Sequence, residues 1–256
     1  MRIKVYDTPQ RAARALAAYL SRAIARTPDL VLGLPTGRTP IPLYRELAAL
    51  GERHDIDFSR VTTFNLDEFR GKGAADPGSY RAFMQGHLFR HVNLTARNIH
   101  FLNGRAEDVR VECERYERAI ARAGGIDLQI LGLGANGHIG FNEPGRRLIA
   151  RTHCARLTAP TRAANAALFG GDVRKVPRQA LSMGMVTILH ARRIVMLATG
   201  IGKARCVARM VNGPLTTELP ASFLQVHRQL DVLLDRAAAE YLERGDENPR
   251  RSGARH

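Results

Sequence analysis

Residues 126–145 decide the fold class: Ile126-Asp127-Leu128-Gln129-Ile130-Leu131-Gly132-Leu133-Gly134-Ala135-Asn136-Gly137-His138-Ile139-Gly140-Phe141-Asn142-Glu143-Pro144-Gly145. The stretch begins as a short apolar run and ends as a loop crowded with glycine and polar groups. A run of that length bounded by turn signals fits a strand buried on both faces, as in a parallel sheet. Residues 132–137 also match the Gly-x-Gly-x-x-Gly spacing of dinucleotide-binding loops. The context rejects that reading. The fingerprint needs a helix to start on the glycines and an acid about 20 residues further on for the ribose. Here Gly140, Pro144 and Gly145 break any helix, and residues 144–171 contain no Asp or Glu. The loop offers instead an imidazole and a carboxylate, His138 and Glu143, with Asn136 beside them. Such a pair can orient the ring and poise it for proton transfer near neutral pH.

The same passage from strand to loop recurs along the chain. Residues 29–34 are a buried run ending in a Pro35-Thr36-Gly37 turn, and residues 61–65 lead to Asp67. Residues 193–198 run into Gly200-Ile201-Gly202-Lys203, and 229–234 form a last strand. Between them the pattern predicts helices. The first spans 8–26, with Thr8 as N-cap, Pro9 in the first turn, and Ala13, Leu16, Ala17, Leu20 and Ile24 at helical spacing. Others are expected over 42–50, 79–91, 106–124, from Lys203 through 211, and over 235–243. Strands alternating with helices imply an α/β fold: a single Rossmann-like domain over 1–243, with a mostly parallel central sheet and helices on both faces. Residues 244–256 (RGDENPRRSGARH) lack core residues and read as a frayed, basic tail. In open parallel sheets, ligands bind beyond the carboxyl ends of the strands. The loops at 36–39, 67, 136–143 and 203 are therefore expected to meet at one site.

Composition narrows the function. The chain has 256 residues, 45% hydrophobic and 25% charged, enough for a full core and against a disordered chain. No apolar run approaches the roughly 20 residues of a membrane helix, and residues 1–7 lack a signal-peptide stretch. Cys113, Cys154 and Cys206, odd in number and far apart, fit reduced thiols in a cytoplasmic protein. The net charge of +15 comes from 39 cations, of which only Lys4, Lys72, Lys175 and Lys203 are lysines. Dispersed arginine, with 6% aromatic residues and no stacking platform, points away from nucleic acid. One local concentration stands out. The acid-free stretch 144–171 carries Arg146, Arg147, Arg151, Arg156 and Arg162, expected to help hold a small anionic substrate.

Each polar loop has its own chemistry. Thr36-Gly37-Arg38-Thr39, between a strand and a helix start, suits phosphate contact through backbone N–H groups and the helix dipole, although the Walker spacing is absent. Asp67, flanked by apolar residues at a strand end, is either a general base adjusted by burial or an N-cap for the next helix. Lys203 either pairs with phosphate or stands as a solvated lysine. His138 and Glu143 lack further ligands at metal spacing, so no zinc site is expected.

The strings LGLPTGRTP (32–40), TTFNLDEF (62–69) and GLGANGHIGFNEPG (132–145), in that order, resemble the glucosamine-6-phosphate deaminase (isomerising) family. The likeness continues through TRAANAALF, VPRQALSMGM and ASFLQVH. The related 6-phosphogluconolactonases share the fold and a glycine-rich His loop, but not its FNEP ending. The resemblance implies conversion of glucosamine 6-phosphate and water to fructose 6-phosphate and ammonia without metal or cofactor. It implies that His138, supported by Glu143 and Asn136, opens the sugar ring, and that Asp67 moves a proton from C2 to C1. Thr36, Gly37, Arg38, Thr39 and Lys203 match its phosphate-binding positions. A cytoplasmic enzyme acting on a small-molecule sugar phosphate follows, with no nucleic-acid or membrane partner; a homo-oligomer is compatible. Galactosamine 6-phosphate turnover, lactone hydrolysis and a non-catalytic sugar-phosphate sensor are the alternatives.

Three departures bear on the site. Asn136 stands where well-known members carry Asp. Ala167 replaces the arginine that closes the TRxANxR motif and clamps the phosphate. Arg38 occupies a position usually held by a small residue, and is expected to supply the guanidinium that Ala167 does not.

Overall fold

Thr8 accepts a hydrogen bond from the Arg11 N–H, and Pro9 opens the first long helix where the capping chemistry puts it. The computed structural model describes residues 1–242. In chain order the elements are β1 (Arg2–Tyr6), α1 (Pro9–Arg26), β2 (Val31–Leu34), α2 (Ile41–Glu52), β3 (Thr62–Asn65), β4 (Asp67–Phe69), α3 (Tyr80–His87), β5 (Ile99–His100) and α4 (Val109–Arg122). There follow β6 (Leu128–Gly132), β7 (His153–Arg156), α5 (Ala159–Asn165), β8 (Gln179–Ser182), α6 (Met185–Leu189), β9 (Arg193–Ala198), α7 (Ala204–Asn212) and β10 (Leu230–Asp235).

Seven strands form one sheet in the order β1-β10-β9-β6-β2-β3-β5, every neighbouring pair parallel. Its central strands are buried on both faces, which is why they read as unbroken apolar runs. One face packs on Leu16, Leu20 and Ile24 of α1 with Leu43, Tyr44 and Leu47 of α2. The other packs on Tyr116 and Ile120 of α4 with Val207 and Met210 of α7. The chain leaves β2 toward β3 and β5, and later leaves β6 toward β9 and β10. The direction of winding therefore reverses between adjacent strands β2 and β6, where open α/β sheets form a ligand crevice.

Three features differ from the sequence expectation. Strand β1 is an exposed edge strand, tied to β10 through the Arg2–Asp231 ion pair at 2.7 Å. A second, antiparallel sheet of order β4-β8-β7 lies beside the first. The helix expected over 235–243 does not form: Asp235 ends β10, and residues 236–241 are turns. The Asp235 carboxylate accepts the N–H groups of Gly200 and Ala238, drawing the chain into a turn against the loop after β9. Glu243 and the tail 244–256 lie outside the described residues. Among the described residues no helix is long and apolar enough to cross a membrane.

The small sheet is anchored to the large one around Gly104. Its carbonyl accepts the Gly71 N–H at 2.7 Å and the Arg70 guanidinium at 2.8 Å. A Cβ there would fall 2.1 Å from the Phe69 carbonyl oxygen and 2.6 Å from that of Lys72. Both are backbone atoms, which have no flexible end to swing away. Gly104→Ala is expected to cost about 1–3 kcal/mol, the usual range for overpacking. A urea titration should show a lower midpoint; an unchanged midpoint refutes the anchoring role.

Candidate active site

Loops after β2, β3, β6 and β9 converge at the winding reversal. After β2, Gly37 takes φ +97°, a conformation that favours glycine, and α2 starts without a side-chain cap. Helix α7, immediately after Lys203, also starts uncapped. Two helix N-termini thus present backbone N–H groups and positive dipole ends here. Arg38 is exposed and Lys203 half-buried, and among the described residues neither forms an ion pair. Burial lowers the Lys203 pKa, and the nearby Arg38 charge lowers it further. Two neighbouring cations without an acid between them form a receptor for an anion.

Asp67 opens β4 and is 6% exposed. The Thr36 hydroxyl approaches its Oδ1 at 3.5 Å. Burial, reinforced by the neighbouring Glu68, raises the Asp67 pKa to about 8. Glu68 is also pushed up, to about 7, by burial that three backbone donors oppose. Those donors are the N–H groups of Phe69, Tyr80 and Arg81, at 2.9, 2.9 and 3.0 Å. Asp67 does not cap the next helix: Ser79 is the N-cap of α3, and Glu68 takes the first N–H groups of that helix beside it. Asp67 is left facing the site.

Gly140, at φ +57°, borders Asp67 on the other side. A Cβ there would stand 3.0 Å from Ser182 Oγ and 3.6 Å from Asp67 Oδ2. The loop carrying His138 therefore passes within van der Waals reach of the buried carboxyl. No helix follows Gly132-Leu133-Gly134, as the rejected dinucleotide reading requires; Gly134 N–H and the His138 carbonyl close a turn at 2.9 Å. A Cβ on Gly134 would meet the His138 ring at 2.4 Å. Cys206, from α7, donates its thiol to the Ala135 carbonyl at 2.8 Å and ties down the same loop.

Within that loop the polar groups form a directed chain. Asn136 Oδ1 lies 2.7 Å from His138 Nδ1 and accepts the His138 backbone N–H at 3.2 Å. Asn136 Nδ2 donates to Glu143 Oε2 at 2.9 Å, and that oxygen is 3.7 Å from His138 Nδ1. A carbonyl oxygen only accepts, so this network assigns the proton to Nδ1 and leaves a lone pair on Nε2. Burial lowers the His138 pKa; Glu143 opposes the shift and Lys203 adds to it. The ring is neutral at neutral pH, with Nε2 able to take a proton.

The sequence-predicted residues Thr36, Gly37, Arg38, Thr39, Asp67, Asn136, His138, Glu143 and Lys203 thus lie on the converging loops. The acid-free stretch behaves differently from the expectation placed on it. Arg162 spends its guanidinium on the carbonyls of Val173 and Val176, and Arg151 reaches Glu117 at 3.8 Å. The contacts the stretch makes with the site's carboxylate and phenol come from uncharged side chains. The Thr161 hydroxyl donates to Glu143 Oε1, the Thr158 hydroxyl approaches the same oxygen at 3.4 Å, and Asn165 accepts from the Tyr80 phenol. Ala167 is exposed in the turn that follows.

A family model of glucosamine-6-phosphate isomerases/6-phosphogluconolactonase matches residues 6–233. The chain belongs to this family. A glucosamine-6-phosphate deaminase of Halothermothrix orenii is 46% identical, the match covering 94% of this chain and 100% of that protein. One from Clostridium botulinum (strain Kyoto / Type A2) is 44% identical, covering 94% and 99%. The solved structure of a monomeric glucosamine-6-phosphate deaminase superimposes with a TM-score of 0.90 at 40% identity, covering 94% of this chain and 99% of that one. A 6-phosphogluconolactonase from Trypanosoma cruzi, 19% identical with a TM-score of 0.74 over 94% of this chain and 97% of its own, shares the fold.

The buried carboxyl gives the family site a measurable signature. Folded, Asp67 holds its proton up to about 8; an unfolded aspartate releases it near 3.9. Between those values the folded chain binds more protons, so this group lowers stability as pH rises. Asp67→Asn is expected to raise Tm, with little gain at pH 4 and a gain that grows toward pH 8. Thermal melts across that range check it. A gain independent of pH refutes the assignment.

Proposed function

We propose that this chain converts glucosamine 6-phosphate and water to fructose 6-phosphate and ammonia. The observation that carries the reading is that the loop bearing a neutral imidazole of defined tautomer passes, at Gly140, against a buried carboxyl of raised pKa. Moving a proton between adjacent carbons needs one base able to reach both, and opening a pyranose ring needs a separate acid–base at O1 and O5. The names of the relatives agree with that division of labour.

In this reading the phosphate sits against the 36–39 loop between Arg38 and Lys203. His138 Nε2 takes the O1 hydroxyl proton and returns it to O5, which opens the ring to the aldehyde. Asp67 in its ionised form removes the C2 proton and delivers it to C1. The amine-bearing enol becomes a C2 imine, to which water adds; ammonia leaves and the C2 ketone remains. Asn136 carries no charge through this relay and holds His138 in the tautomer that exposes Nε2.

Ammonia release, measured with glucosamine 6-phosphate and with its C4 epimer galactosamine 6-phosphate, tests the proposal. Release from the first, and a loss of about 10²–10⁴ in kcat for Asp67→Asn, is expected. No ammonia from either sugar rules out the deaminase reading, and preference for the epimer reassigns the substrate.

Arg38 makes a second, separable prediction. A charge-assisted phosphate contact contributes about 1.5–3 kcal/mol, so Arg38→Ser should raise KM roughly 10- to 100-fold with kcat nearly unchanged. An unchanged KM means that backbone N–H groups hold the phosphate alone.

A further inference from the structure

Thr161 and Asn165 stand four residues apart on α5 and face the same way. Most of that short helix is exposed, yet Thr161 is 2% exposed. Its hydroxyl donates to Glu143 Oε1. Thr158, the N-cap of α5, approaches the same oxygen at 3.4 Å and donates to Thr161 Oγ1 at 3.1 Å. One turn on, Asn165 Oδ1 accepts the Tyr80 phenol at 2.9 Å. That phenol also lies against Thr36, which in turn approaches Asp67. Helix α5 therefore touches the surroundings of both proton-transfer groups through uncharged contacts.

The contact with Glu143 has a specific consequence because position 136 is an amide. A carboxylate is symmetric and accepts at either oxygen, whereas an amide shows an acceptor on one side and a donor on the other. With Oε1 engaged by Thr161, Oε2 is presented to Asn136 Nδ2, which keeps Oδ1 on His138 Nδ1. Freed from Thr161, the carboxylate can swing off Asn136 Nδ2; the His138 backbone N–H at 3.2 Å is then left to hold Oδ1 toward the ring, and the amide can turn over. The NH₂ would then face Nδ1, which must accept, and the proton would move to Nε2. The lone pair that takes the O1 proton would be lost.

We propose that Thr161 is a positioning residue that sets the tautomer of His138 through Glu143 and Asn136, making ring opening depend on the seating of α5. This rests on the reading of His138 as the ring-opening base. In contrast to Arg38, Thr161 acts without touching the substrate.

The test compares the full-length chain with Thr161→Val, which keeps shape and removes the hydroxyl, and Thr161→Ser, which keeps the hydroxyl. Nitrogen-15 NMR of the histidine rings, with His138 assigned through His138→Gln, reads the tautomer directly; ammonia release gives kcat and KM. In the unsubstituted chain the His138 proton is expected on Nδ1. Thr161→Val should populate the Nε2–H form and lower kcat about 10- to 100-fold, the scale of a hydrogen bond to a charged group, with little change in KM. Thr161→Ser should restore both. Retention of the Nδ1–H tautomer and of kcat in Thr161→Val overturns the proposal, as does a serine variant as impaired as the valine one. If the unsubstituted chain releases no ammonia, the functional reading fails, while the NMR comparison still decides whether Thr161 sets the tautomer.

Discussion

Two carboxyl groups adjacent in sequence, Asp67 and Glu68, are both removed from water, and the surrounding structure is arranged around that placement. A strand sends successive side chains to opposite faces. On one face Glu68 gathers three backbone N–H groups and joins β4 to the start of α3. On the other, Asp67 has, among the described residues, the long approach of Thr36 and keeps its proton to about 8. Desolvating a carboxyl without matching donors lowers stability and raises basicity together. The second sheet holds the three-residue strand that bears this cost. Strand β8 pairs with β4, and the turn around Gly104 closes its far end.

The two proton-transfer groups are driven in opposite directions by their settings. Burial raises Asp67 and lowers His138, so at neutral pH both are held mainly uncharged. Arg38 and Lys203 supply positive charge nearby and, among the described residues, pair with no acid. When an amino-sugar phosphate binds as proposed, its phosphate answers those cations and its C2 ammonium favours the ionised form of Asp67. The ligand itself would thus bring the base into its working state.

Much of the fold was legible in the sequence. Thr8-Pro9 marked the start of α1, and the unbroken apolar runs marked the central strands because burial on both faces leaves no polar alternation. The second sheet was not legible. Its strands read Asp-Glu-Phe, His-Cys-Ala-Arg and Gln-Ala-Leu-Ser, too short and too mixed in polarity to show a period. The site showed the same division. A glycine-flanked loop after a strand pointed to His138 and Glu143, and an acid between apolar residues at a strand end pointed to Asp67. The hydroxyls of Thr158 and Thr161 carry no such signal, because a helix that meets its neighbours through single polar contacts leaves no compositional trace. The arginines of 144–171 were conspicuous for the opposite reason. Charge is visible in a sequence, but the carbonyls and carboxylate that occupy Arg162 and Arg151 are visible only in the fold.

Asn136 gains a physical rationale from this arrangement. A carboxylate at that position, 2.7 Å from Nδ1 and beside Glu143, would put a second negative charge against the ring and favour the imidazolium. The amide avoids that outcome, and Lys203 pushes the ring in the same direction. The choice has a structural consequence: an amide can turn over where a carboxylate has no wrong orientation. A neutral relay therefore requires something to fix its direction, and Glu143, held in turn by Thr161, occupies the place from which that can be done.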